Sequence, residues 1–120
     1  MRFPISKTRK DNGMYVMIIN IKKEELLKKL ISIMIEFEMF DSSVIDGEGI
    51  ENLAMQTDPV FSSLRALFSE TYVYNKTIIT PVQSRKDLDT FLSVCSQEGI
   101  EFRGTETGSV MVLPCEEIVS

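Results

Sequence analysis

The sequence predicts an α+β domain in which two strand-helix-strand units pair into one four-stranded antiparallel sheet. Two β-branched, apolar runs of strand length occupy residues 14–21 and 72–80. Each run is followed by apolar residues at helical spacing and then by another strand-like segment. Right-handed crossovers and short connections leave one common arrangement for such units, the ferredoxin-like fold with both helices on one face of the sheet.

The first unit begins with the strand at 14–21, whose alternate positions are nearly all apolar, as in a central strand covered on both faces. A helix follows, with Glu24 and Glu25 in its first turn, where the helix dipole favours acids. Ile33 and Ile35 lie off its main apolar stripe, and burial in the core is favoured over a subunit contact. The stripe itself consists of Leu26, Leu27, Leu30, Ile31, Met34 and Phe37.

The second strand is predicted from Ser42 to Asp46, and it ends at the bend Gly47-Glu48-Gly49. Two glycines around one residue let the backbone turn sharply and approach a ligand closely. An insert then covers residues 50–71, in which Asp58-Pro59 predicts the start of a short amphipathic helix. We expect its apolar stripe to pack on its own sheet, in preference to covering a ligand cleft or a partner.

The second unit starts with the strand at 72–80, which Pro81 is expected to end. A helix follows from a capping sequence at residues 84–87 to a terminal Gly99. Its predicted buried stripe consists of Leu88, Phe91, Leu92 and Cys95. A polar loop at 102–108 leads into the fourth strand at 109–113, which Pro114 ends. The two helices cover one sheet face only, so the second face is expected to pack against another subunit.

Composition indicates a single domain in 120 residues with a net charge of −5. Residues 1–13 carry +3 of that charge, and the remaining chain is acidic, which disfavours binding to nucleic-acid phosphates. We divide the chain into a basic flexible leader at 1–13 and one domain at 14–120. The leader is interpreted as a disordered extension in preference to an interaction arm, and we expect it to be most mobile together with parts of 50–71.

The residue types present argue against most catalytic centres. The chain has no histidine, and its two cysteines, Cys95 and Cys115, are isolated, so zinc sites and Cys/His or Ser/His/Asp catalysis are not expected. Both cysteines are predicted to be free thiols of a cytoplasmic protein. Asp46 and Glu48 are the nearest acidic pair, and solvated acids are favoured there over a divalent-cation site. We therefore predict no enzyme activity, no metal and no cofactor.

Two stretches resemble the nitrogen regulatory PII and PII-like signalling family. Residues 44–49 are similar to the strand end at the base of that family's long T-loop, and residues 108–119 are similar to its glycine loop and the strand after it. The resemblance implies a homotrimer with small effectors in the clefts between subunits. It also implies that the 50–71 loop signals to a partner transporter or enzyme.

The same resemblance locates a site. The predicted effector-binding residues are Gly47, Glu48, Gly49, Arg103, Thr105, Thr107, Gly108 and Ser109. The family's Gly-Asp-Gly-Lys is here residues 106–109, without the lysine, and its terminal arginines are replaced by Glu116, Glu117 and Ser120. A nucleotide-type effector stays open, whereas ordinary ATP is not expected because those cations are missing. The acids Asp46, Glu48 and Glu106 favour a neutral, cationic or metal-bound ligand, with Arg103 as the nearby cation. The alternative is a structural or assembly module of the same fold, and a cation-binding protein or enzyme is less favoured.

Overall fold

A computed structural model describes residues 6–8, 13–57, 74–104 and 106–119. Its helices and strands follow the predicted order of two strand-helix-strand units. In chain order the elements are β1 Ser6–Thr8, β2 Tyr15–Ile21, α1 Glu24–Glu36, β3 Ser43–Asp46, α2 Ile50–Thr57, β4 Lys76–Val82, α3 Arg85–Gln97, β5 Gly108–Pro114 and β6 Glu117–Val119.

Four strands form one antiparallel sheet in the order β3-β4-β2-β5. The first strand of each unit, β2 and β4, is central, and the second strand of each, β3 and β5, lies at an edge. All seven residues of β2 pair with β4 on one side and with β5 on the other. This arrangement confirms the predicted ferredoxin-like fold.

The hydrophobic core lies between α1, α3 and one face of the sheet. Met17, Ile19 and Ile21 of β2 are fully buried there, because alternate strand residues point to the same face. Phe91 of α3 is also buried, and its ring meets that of Phe37 edge-on with centroids 5.5 Å apart. The two strand-helix-strand units are therefore held together by side chains from both helices.

The helix signals in the sequence are largely confirmed. The Ser84 hydroxyl accepts a hydrogen bond from the Asp87 N–H at 3.1 Å, and Gly99 ends the same helix with φ +92°. On α1 the prediction for the two isoleucines beside the main stripe is right for Ile33, which is buried, and wrong for Ile35, which is 55% exposed. Ile31 is also partly exposed, because it lies at the border of the core-facing stripe.

Three local predictions need correction. Pro81 does not end its strand but lies within β4, beyond the last β4 residue that pairs with β3. Since β3 does not extend beside Pro81, the missing N–H of proline costs no hydrogen bond to β3. The sequence reasoning also missed α2, which begins directly after Gly49, and β6, which follows β5 after a two-residue break. The helix expected from Asp58 lies outside the described residues.

Part of the predicted leader belongs to the fold. β1 pairs antiparallel with β6, so residues 6–8 form a second, two-stranded sheet with residues 117–119. The boundary at residue 13 therefore does not separate a leader from the domain at those three positions. The mobility expected for residues 1–13 and 50–71 stays a prediction.

The second face of the main sheet is apolar, as expected, and no described helix covers it. Ile79, Met111 and Leu113 on this face are 40%, 56% and 43% exposed. We call this surface the open face, and its central apolar residues are Val16, Ile18, Ile79, Met111 and Leu113.

Cys95 is a buried member of the core, and both cysteines are free thiols. Burial raises the pKa of Cys95 to about 12, because a thiolate would be poorly solvated there. Cys95 is therefore an unreactive packing residue. Among the described helices, none combines the length and the apolar character that crossing a membrane requires.

A pair of phenylalanine substitutions tests where the core lies. Phe91→Ala should lower the free energy of unfolding by about 3–5 kcal/mol, since it removes a buried aromatic ring and leaves a cavity. Phe40→Ala is the matched control, because Phe40 is 70% exposed, and it should change stability by less than about 0.5 kcal/mol. Urea unfolding measures both. Equal losses in the two variants would contradict the described core.

Candidate functional site

The sheet register gathers the predicted site residues at one end of the sheet, in two groups. Asp46 lies opposite Lys76, Lys76 opposite Ile21, and Ile21 opposite Gly108, so a single row crosses all four strands. Gly47 and Gly108 thus lie at opposite edges, about three strand spacings or roughly 14 Å apart. Within one chain the two groups share an end of the sheet but are not walls of one cleft.

The first group, residues 47–49, connects β3 to α2. The Gly47 N–H donates to the Asn75 carbonyl at 2.9 Å. This backbone hydrogen bond joins the two segments that flank the insert, one after β3 and one before β4. The Gly49 carbonyl accepts from the Leu53 N–H at 3.0 Å and closes the first turn of α2. The Glu48 carboxylate accepts from the Asn52 amide at 2.9 Å. Glu48 is therefore engaged in the start of that helix.

Asp46 is not an isolated acid. Its carboxylate lies 2.8 Å from the Lys76 ammonium on the neighbouring strand, and Lys76 also lies 5.7 Å from the centre of the Tyr74 ring. The pair is largely exposed, so it contributes little to stability. It does remove most of the repulsion that Asp46 was expected to exert on an anionic ligand. The described residues contain no group of three acids or thiols that could hold a metal ion.

The second group is built around Gly108, the first residue of β5. Its φ of +146° is strained for any L side chain, and a Cβ added there would lie 1.8 Å from the backbone oxygen of Asn20. Gly108 is therefore required for strand pairing. A bulky residue at Gly108 would thus disturb the fold itself.

Two hydroxyl residues flank Gly108 with different environments. The Thr107 carbonyl accepts from the Lys22 N–H at 2.8 Å, and the Thr107 side chain is only 5% exposed. Within one chain the Thr107 side chain is thus buried, and its contact with an effector stays a prediction. Ser109 is exposed on the open face. Thr105 lies outside the described residues.

Arg103 lies at the rim of a groove of about 730 Å³ between α3 and β5. The Arg103 N–H donates to Glu101 at 3.1 Å, and the Ser96 hydroxyl donates to the other oxygen of the same carboxylate at 2.9 Å. The hydrogen bond from the Arg103 N–H, and after it the one from the Ser96 hydroxyl, stabilises the Glu101 carboxylate and so holds its pKa below the usual value. The Arg103 turn is thus fixed by Glu101, and its side chain is exposed. Apolar residues of the groove include Leu88, Leu92, Val110 and Val112.

Sequence reasoning named Arg103 as the cation near the site and missed three lysines. Lys22 and Lys23 line a shallow depression of about 500 Å³ together with Glu106 and Gly108, and Lys76 lies at the other edge beside Asp46. Lys22 and Lys23 directly follow β2 in sequence. Since β2 and β5 are antiparallel neighbours, the end of one must lie beside the start of the other, and this topology could have predicted the two cations.

Two asparagines near the site were also missed. The Asn20 amide nitrogen lies 2.6 Å from the Asn75 side-chain oxygen, 3.3 Å from the Thr77 hydroxyl and 3.5 Å from the Lys76 carbonyl. The signal available in the sequence was a polar residue near the end of an otherwise apolar strand.

Comparisons with known proteins support the fold but do not assign this sequence to a family. No protein-family model and no curated protein matches this sequence. Among solved structures, this chain is similar to PII from Arabidopsis thaliana, in a crystal structure with bound citrate. The two share 14% sequence identity with a TM-score of 0.53, over 88% of this chain and 78% of that one.

Two glycine substitutions separate a structural role from ligand access. Gly108→Ala should destabilise the protein by more than about 2 kcal/mol, because the new methyl group meets backbone of β2 and the φ is unfavourable. Gly49→Ala should change stability far less, since no described atom lies within 4 Å of the added Cβ and its φ is not positive. Thermal unfolding measures both. A Gly108→Ala variant as stable as the parent would contradict the described pairing of β5.

On these findings the chain has the fold found in PII, with its candidate effector contacts divided between the two edges of one sheet end.

Proposed function

We propose that this chain is a PII-like regulatory protein without catalytic activity, which binds a small effector in clefts between the subunits of a homotrimer. The observation that carries the proposal is the division of the candidate contacts within a PII-like fold. Gly47 and Ser109 lie at the same end of the sheet but at opposite edges. Edges that cannot meet within one chain can meet between neighbouring chains of a closed oligomer.

The open face supports assembly into the trimer. Isoleucine, methionine and leucine side chains lie side by side on it across three strands, and a monomer would leave them in water. Facing sheets around a common axis would bury this surface. Two adjacent subunits would then bring the Gly47 edge of one close to the Gly108 edge of another.

The cations at this end support a small anionic effector. Lys22 and Lys23 line the depression beside Gly108, and Arg103 lies nearby along the same loop. Glu106 in the same depression disfavours a bare polyphosphate. The structurally similar PII is a citrate complex, so a carboxylate effector is our first choice, and a nucleotide-type effector is the second.

The 50–71 segment is proposed to report effector binding to a partner transporter or enzyme in the cytoplasm. Its first part, α2, begins directly after Gly49, so any shift of residues 47–49 moves the start of that helix. A pure assembly module is the second candidate, favoured by the exposed apolar area of the open face. Effector binding distinguishes the two.

The trimer is tested by light scattering after size exclusion. We expect a mass three times that of the 13.7 kDa chain at micromolar concentration. Met111→Asp should dissociate it, because the substitution places a charge in the middle of the open face. Ile35→Asp, on the exposed side of α1, is the matched control and should stay trimeric. A monomeric parent protein would refute the trimer.

The effector is tested by thermal shift with citrate, 2-oxo acids, nucleotides and cyclic dinucleotides. A true effector should raise stability by about 2.7 kcal/mol at a hundredfold excess over its dissociation constant. The double variant Lys22→Ala with Lys23→Ala should lose most of this gain. Lys28→Ala is the matched control. Lys28 is an exposed lysine of α1 that does not line the depression, so this variant should keep the gain in stability. No shift with any compound would favour the assembly module.

A further inference from the structure

Asn20 differs from the rest of β2, whose sequence is otherwise apolar or aromatic. It lies on the open face, one residue before the strand ends, and is half-buried. Its amide nitrogen faces three acceptors on the neighbouring chain segment: the Asn75 side chain at 2.6 Å, the Thr77 hydroxyl at 3.3 Å and the Lys76 carbonyl at 3.5 Å. The carbonyl can only accept, so this atom of Asn20 is the nitrogen and Asn20 is the donor.

Asn75 connects Asn20 to Gly47. It is the residue through which the chain re-enters the sheet after the insert, and its backbone oxygen accepts the Gly47 N–H at 2.9 Å. Its side-chain oxygen lies 3.1 Å from the position that a Cβ of Gly47 would occupy. The Asn75 side chain is therefore packed between Gly47 on one side and the Asn20 amide on the other. These contacts hold the segments before and after the insert against the end of β2.

The backbone of Asn20 contacts the opposite edge of the site. Its carbonyl oxygen lies directly against Gly108, so close that only glycine fits. Asn20 thus contacts the β5 edge with its backbone and the β3 edge, through Asn75, with its side chain. Among the described residues, Asn20 therefore links the two groups of the candidate site, although the groups themselves lie at opposite edges of the sheet.

We propose that Asn20 is a positioning residue: its amide holds the Asn75 side chain, and Asn75 in turn fixes Gly47 and the start of the insert relative to the β5 edge. The inference deepens the proposed function, in which residues 47–49 contact the effector. The link to effector binding rests on the proposed function, whereas the contacts between Asn20, Asn75 and Gly47 are present in the free protein.

The direction of the hydrogen bond makes a sharp test. Asn75→Asp keeps an oxygen in front of the Asn20 amide, so the contact survives. Asn20→Asp replaces the donor by a carboxylate, which cannot donate to any of the three acceptors, and Asn75→Leu removes the side-chain acceptor of Asn75. Ser109→Ala is a matched control, because Ser109 lies opposite Asn20 on the β5 side and has no part in the contact.

Amide hydrogen exchange of Gly47, measured by NMR without any effector, is the readout, and Ile19 in the middle of β2 is the reference amide. Asn20→Asp and Asn75→Leu should speed Gly47 exchange by about fivefold relative to Ile19, as expected for one lost hydrogen bond. Asn75→Asp and Ser109→Ala should stay within about twofold of the parent protein.

Unchanged Gly47 exchange in Asn75→Leu, or an equal rise at Gly47 in Asn75→Asp, would overturn the inference. Equal acceleration at Gly47 and Ile19 would also overturn it, since that result indicates general destabilisation. If Asn20→Asp fails to fold, the two Asn75 variants decide the matter alone. A negative effector screen leaves this experiment unaffected, so the two proposals fail independently.

Discussion

The pairing of β2 on both sides is the constraint on which the rest of the structure depends. Its seven residues are in register with β4 and with β5, and its helix-facing side chains Met17, Ile19 and Ile21 are fully buried. One register therefore fixes every row of the sheet. A shift of one residue would move Met17, Ile19 and Ile21 to the open face and bring Asn20 into the core, at a prohibitive cost in buried apolar area and an unpaired amide. The location of the candidate site follows from this same register.

Glycines at the candidate site have different physical roles. Gly108 is required by the approach of β5 to the backbone of Asn20, so its presence says little about a ligand. Gly49 has no described atom within 4 Å of an added Cβ and no positive φ, so neither packing against the described residues nor backbone strain requires a glycine there. Gly47 is intermediate, because the neighbouring atom is the end of an asparagine side chain. A motif of small residues can thus combine structural necessity with ligand access.

The surface separates two kinds of interaction. The open face is apolar and suits the association of like chains, whereas the sheet end at Lys22, Lys23 and Arg103 offers cations in a chain of net charge −5. Local charge decides what binds there, since the effect of distant acids is weakened by solvent and salt. The Lys76 and Asp46 pair at the opposite edge is nearly neutral in total. An anion is consequently favoured near the start of β5 over the end of β3.

The sequence alone determined the features that depend on neighbouring residues. Apolar periodicity located both long helices and the two central strands, and Ser84 and Gly99 marked helix ends because capping is a matter of a few adjacent residues. Only the tertiary structure decided what depends on partners distant in sequence. Pro81 is accommodated inside β4 because β3 has already ended beside it, and Gly108 is needed because the Asn20 carbonyl occupies the space of a side chain. Gly47 and Gly108 lie at one end of the sheet, but two strands separate them, because the central positions belong to β2 and β4. The contact of Asn20 with Asn75 joins residues 55 positions apart, so no local pattern could predict it.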